Sequence, residues 1–144
     1  MKNIDNFIES TMWEPMKKAN AGINQCALEL TPCLGIGFHN LDTDESYMLH
    51  YLDLKNMNPN YEKEIEQIKE DFLDSNVTIY CAGGALYNYT TSINESLLKD
   101  RSIIEKLLQK HFPKGNILIN WNDEGDSVNL ILDKKEKEFY IEKD

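Results

Sequence analysis

Cysteine is scarce in this 144-residue chain: Cys26, Cys33 and Cys81, with no Cys-x-x-Cys pair. An odd count in a chain long enough to bury a real core argues against a disulfide scaffold. Two nearby cysteines and three scattered histidines are poor material for a four-ligand zinc site, so no metal and no cofactor is expected. Basic residues are few as well, 15 against 25 acidic ones, which gives a net charge of −10. Phosphate backbones and anionic lipid repel such a chain, so neither nucleic acid nor a membrane surface is the expected partner. No apolar run approaches the ~20 residues that span a bilayer, so no membrane insertion is expected. The opening Met1-Lys2-Asn3-Ile4-Asp5-Asn6 lacks a basic stretch followed by an apolar one. It is therefore not a Sec signal, and a cytoplasmic location is expected; this does not bear on signal-independent secretion into a host. Repeats, low-complexity tracts and linkers are absent too, so residues 1–144 read as a single domain.

What is present is an alternation of short strands and long amphipathic helices. Phe7, Ile8, Met12 and Met16 sit at helical spacing and predict a helix over residues 5–19, within an N-terminal helical segment of residues 1–20, with Pro15 as a kink. Gln25–Thr31 reads as a strand, with Cys26, Leu28 and Leu30 on one face and Ala27 and Glu29 on the other. Pro32 bends the chain before Cys33, and the glycines of Leu34–Phe38 allow something to approach closely. Asn40–Glu45 is a turn, and Ser46–Leu52 is the returning strand. Asn60–Leu73 carries the stripe Tyr61, Ile65, Ile68, Phe72 of a helix. Val77–Cys81 is a short buried strand running into Gly83-Gly84, a tight strand exit. Ser92–His111 is a second long helix, ended by Pro113 and Gly115. Strands 116–121, 127–132 and 139–142 follow. The expected fold class is α+β, with mixed and antiparallel β-sandwich-like sheets flanked by helices.

Cys33 and His50 stand out within this frame. A cysteine just after one strand and a histidine near the end of the next is the arrangement of a nucleophile and its base. Each also has a plain structural reading, as a buried free thiol and as a satisfied core histidine. His39 reads as a turn residue, His111 as a helix C-terminal cation, and Trp13 and Trp121 as packing residues.

The order of motifs resembles the CheD chemoreceptor glutamine deamidases, part of a wider group that includes the catalytic domain of cytotoxic necrotizing factor. Leu30-Thr31-Pro32-Cys33 stands for the family's cysteine motif and Met48-Leu49-His50-Tyr51-Leu52 for its histidine motif. Ile79-Tyr80-Cys81-Ala82-Gly83-Gly84-Ala85-Leu86-Tyr87 stands for its strand and Gly-Gly segment. The resemblance covers roughly residues 24–142 and implies a CheD-like fold. It implies a cysteine-dependent hydrolase that converts a glutamine side chain of a protein substrate to glutamate, without cofactor or metal. The expected partners are that protein, a chemoreceptor in the chemotaxis members of the family, and a regulatory protein. Cys33 is then the nucleophile and His50 the base, with oxyanion donors from the Cys33-Leu34-Gly35 turn and a thiol pKa depressed by ion pairing to His50. The family threonine that orients the histidine falls on Ala27, so the Ala27 carbonyl or the Thr31 hydroxyl is the expected replacement. Entry of an amine in place of water would give transglutamination. A non-catalytic interaction module on the same fold and a cysteine hydrolase of another amide are the alternatives.

Overall fold

Strands open the chain where the apolar spacing predicts a helix. In the computed structural model, which describes residues 6–86 and 91–143, β1 (Phe7–Ser10) and β2 (Met16–Ala19) replace the expected helix over 5–19. Residues 1–5, the first part of the predicted N-terminal segment, lie outside the described residues, as does Tyr87 of the Gly-Gly motif. Pro15 lacks an N–H and cannot sit inside a helix without breaking it. A turn at Thr11–Glu14 separates the two strands, with Thr11 N–H donating to Glu14 O at 3.1 Å. Partners elsewhere in the chain then decide the matter: β1 pairs parallel with β3 and β2 pairs antiparallel with β5. Trp13, at the tip of this turn, is 77% exposed and is not a packing residue.

The remaining elements follow the expected order. They are β3 (Asn24–Leu30), β4 (Leu34–Asn40), β5 (Ser46–Tyr51), α1 (Tyr61–Asp71), β6 (Val77–Gly83), α2 (Thr91–His111), β7 (Asn116–Trp121), β8 (Val128–Asp133) and β9 (Glu138–Lys143). The fold is α+β, with two mixed sheets ordered β1-β3-β8-β9 and β2-β5-β4-β6-β7. One face of the five-stranded sheet carries Leu34, Ile36, Phe38, Leu49, Ile79 and Cys81 against the apolar stripes of α1 and α2. Its other face meets the four-stranded sheet through Met48 and Ala82 on one side and Ala27, Leu30, Val128 and Leu130 on the other. Strand β4 is therefore covered on both faces and buried throughout. The glycines of β4 serve this contact. A Cβ at Gly35 would stand 2.5 Å from Leu30 Cδ1, and one at Gly37 would enter the Phe139 ring.

The alternation expected in β3 breaks at a bulge between Ala27 and Leu30, where Glu29 takes a φ of 54°. Its amide donates to Asn129 Oδ1 at 2.8 Å instead of to the ladder. A bulge adds one residue and turns the strand. Ala27 and Leu30 consequently both face the inter-sheet core, in the same buried cluster as Cys33.

Candidate active site

His50 is fixed by three neighbouring strands. Its N–H donates to Pro15 O beside β2 at 2.9 Å, and on its other side it faces Gly35 of β4. Because that N–H points away from β4, the pair with Gly35 is the close, non-hydrogen-bonded kind, and the space of the missing side chain is filled by Leu30 and Leu130. Cys33 precedes Gly35 by two residues, so the strand period places it on the same face as His50. Extending the register from Leu34–Tyr51 sets Cys33 opposite Leu52. The two candidate residues are thus diagonal neighbours on the inter-sheet face, each only 6% exposed.

The orienting group is neither of the two expected. His50 Nδ1 lies 3.0 Å from the carbonyl oxygen of Ser10, at the end of β1. A carbonyl only accepts, so Nδ1 is the donor and Nε2 of the neutral ring carries the lone pair. Thr31 is committed elsewhere: its Oγ1 shares a hydrogen bond with Ser127 Oγ at 2.9 Å, and its carbonyl accepts from Ala85 N–H at 2.6 Å. Ala27 is the ladder partner of Ser10, so the orienting carbonyl sits one strand over from where it was expected. Ser10 is fully buried, and its Oγ donates to Met48 O at 2.7 Å, tying β1 to the strand that carries His50.

The ion pair expected to activate the thiol is absent. Among the described residues no hydrogen bond joins Cys33 to His50, and burial pushes the Cys33 thiol up to about 11. Burial also lowers the His50 pKa, opposed by the Ser10 carbonyl, which favours a protonated ring. Both groups are drawn toward their neutral forms for one reason: little water reaches either, and no cation faces the sulfur. Cys26 is pushed higher, to about 12, by burial and Glu9, and Cys81 higher still by burial and Glu105. All three cysteines are free and buried, and Cys33 is the least perturbed of them.

The turn carrying Cys33 is clamped from below. Gly84 N–H donates to Cys33 O at 2.8 Å, with Gly83 at φ +80° and Gly84 at φ +61°. A Cβ at Gly83 would run into that same Cys33 oxygen, so this residue must be glycine for both conformation and space. Arg101, buried in α2, holds the glycine turn in place. Its guanidinium donates to Gly84 O from Nε at 3.0 Å and also from a terminal nitrogen, to Asn122 O at 3.1 Å and to Asp123 Oδ1 at 2.8 Å. Leu34 and Gly35 lie within β4, paired on both sides, so the expected oxyanion turn shrinks to the amide of Cys33.

Sequence reasoning missed Ser10 and Arg101. Ser10 acts toward His50 through its backbone and has no local signature; Arg101 looks like any cation on the polar side of a helix. His39 is a buried strand residue bonded to Asp44 at 2.6 Å rather than a turn residue, and it lies outside the site. His111 ends α2 as expected, but burial and the nearby Lys69 and Lys110 lower its pKa, which disfavours the expected cation. Among the described residues no group of three or more His, Cys, Asp or Glu is placed to hold a metal, and no helix is long and apolar enough to cross a membrane. Compared with known proteins, the chain matches no family model and no curated sequence.

Proposed function

We propose that the protein is a cysteine-dependent glutamine deamidase of CheD-like type, acting on a side-chain carboxamide of a protein substrate in the cytoplasm. The observation that carries this reading is the Ser10–His50 hydrogen bond. It fixes the tautomer that leaves Nε2 basic, on the sheet face shared with Cys33.

In the reaction, the Cys33 thiol attacks the carboxamide carbon while His50 Nε2 takes its proton. The oxyanion faces the Cys33 amide. The imidazolium returns the proton to the departing nitrogen, ammonia leaves, and a thioester remains. His50 then takes a proton from water as it adds to the thioester, and the imidazolium returns that proton to the departing Cys33 sulfur, which leaves as thiol and gives glutamate. An amine in place of water gives an isopeptide product. Because both partners rest neutral, proton transfer accompanies attack rather than preceding it.

The test is ammonia release from glutamine-rich carrier proteins, with product mapping by mass spectrometry for the +1 Da change. Cys33→Ala and His50→Ala should each abolish release while circular dichroism stays native. Full activity in either variant refutes the assignment. A second reading, a non-catalytic interaction module, draws on the raised Cys33 thiol pKa and the missing bond to His50. It requires that no carrier protein releases ammonia above the Cys33→Ala background.

A further inference from the structure

An open groove of about 410 Å³ reaches the turn that carries Cys33, although neither Cys33 nor His50 lines it. Pro32, the residue before Cys33, forms one end. Leu52, which packs against the core holding Cys33, forms one wall, and Ile93 and Leu97 of α2 form the other. Ile93 is 47% exposed, and Met57 at the rim is 43% exposed, so apolar surface is uncovered here. Two carboxylates enter the same groove from opposite walls, Asp53 from the loop after β5 and Asp100 from α2.

Neither carboxylate has a cation bound to it among the described residues. Asp53 accepts from the amides of Lys55 and Asn56 and from Asn56 Nδ2. Asp100 accepts from Leu54 N–H at 3.3 Å. Burial, and less strongly repulsion by the nearby Asp53, raises the Asp100 pKa, whereas bonds from Asn56 and Lys55 lower that of Asp53. Lys55 and Lys99 weaken this repulsion only from a distance; they line an adjoining groove of about 500 Å³. A positive group placed between the two acids removes the repulsion, and the stem of a long basic side chain suits the apolar walls.

We infer that this groove receives the stretch of the substrate protein next to the reactive glutamine, and that the stretch carries a lysine or arginine beside an apolar residue. The inference rests on the reading of Cys33 as nucleophile. An extended chain advances about 3.3 Å per residue, so a glutamine at Cys33 puts its immediate neighbours against Pro32 and Leu52 and the following ones between the acids. The occupant is chosen by charge: the groove offers carboxylates and hydrocarbon and no basic residue.

The experiment uses fluorescein-labelled ten-residue peptides with one central glutamine, flanked by Leu and Lys or by Leu and Glu. They are titrated by anisotropy onto Cys33→Ala, which binds without turnover. The Lys peptide should bind about tenfold more tightly at low salt, and less so as salt rises. Adding Asp53→Asn and Asp100→Asn, which remove the charges and keep one acceptor oxygen each, should bring the two affinities within about twofold. Circular dichroism and Tm establish that the variants fold, and Asp100→Asn alone should give an intermediate ratio. Equal affinities in the parent, no binding of either peptide, or a preference that survives in the folded Asn variants overturns the inference. Ammonia release from the same peptides by the intact enzyme separates the two claims. Release without charge preference removes the groove assignment alone. Charge-selective binding without release refutes the deamidase reading, and with it the substrate role of the groove, and leaves only a site for a basic, apolar segment.

Discussion

Alkylation of Cys33 tests the neutral-pair description directly. A thiol held at about 11 is about 0.03% thiolate at pH 7.4, whereas an ordinary thiol near 8.5 is about 7%. The thiolate fraction alone lowers the rate by roughly 300-fold. A more basic thiolate is a stronger nucleophile, and a Brønsted coefficient near 0.4–0.5 returns roughly ten- to twentyfold. The net expectation is alkylation roughly 15- to 30-fold slower than for a free thiol at the same pH, before the 6% exposure of Cys33 slows it further. The assay is iodoacetamide labelling of the native protein between pH 6 and 9.5, with each cysteine read by mass spectrometry. The Cys33 rate should rise about tenfold per pH unit over the whole range without levelling. Cys26 and Cys81 should label more slowly. His50→Ala should leave the profile within about threefold, because no bond joins the two groups at rest. A pH-independent plateau between pH 6 and 8 that disappears in His50→Ala would mean a preformed thiolate–imidazolium pair and would refute the reasoning.

Ser10→Ala removes the buried bond to Met48 O, and should cost about 1–2 kcal/mol in urea unfolding. It should also lower turnover, since the strand end carrying the orienting carbonyl is loosened; an unchanged kcat argues against that coupling. Arg101→Met strips charged donors from Gly84 O and Asn122 O and should cost about 2–4 kcal/mol, with a loss below 1 kcal/mol contradicting the clamp. Burial depresses the pKa of both His50 and His111 in the folded protein. The unfolded chain, with His near 6.5, therefore binds more protons, so stability should fall as pH drops through about 6.5 toward the depressed folded values. Urea midpoints from pH 8 to 5 read this, and His50→Gln should flatten the slope.

From β3 onward the sequence is legible because local signals and tertiary demands agree. The α1 stripe Tyr61, Ile65, Ile68 and Phe72, the glycine exit of β6 and the turns before β8 and β9 each state locally what the fold uses. The N-terminal segment is not legible in this way. Phe7, Ile8, Met12 and Met16 satisfy a helical period by coincidence, and only pairing with β3 and β5 decides their state. The bulge at Glu29 is hidden for a similar reason, since Asn129, whose side chain receives its amide, lies far along the chain. That Cys33 and His50 share one face was legible from strand order. Their protonation was not, because it depends on how much water the second sheet excludes.

The Ser10 carbonyl has a consequence for how such a site is inherited. Every residue has a main-chain oxygen, so the contact to His50 is preserved by keeping the strand in register, whatever side chain stands at that place. Substitution at position 10 is then tolerated in proportion to its effect on the Met48 tie, whereas insertion or deletion of one residue between β1 and β2 moves the acceptor away. Selection on this part of the site acts on spacing more than on residue identity. Descendants of one ancestor could drift apart in the letters of β1 while keeping its length and placement, and a motif written in residue types would pass over the orienting group in all of them.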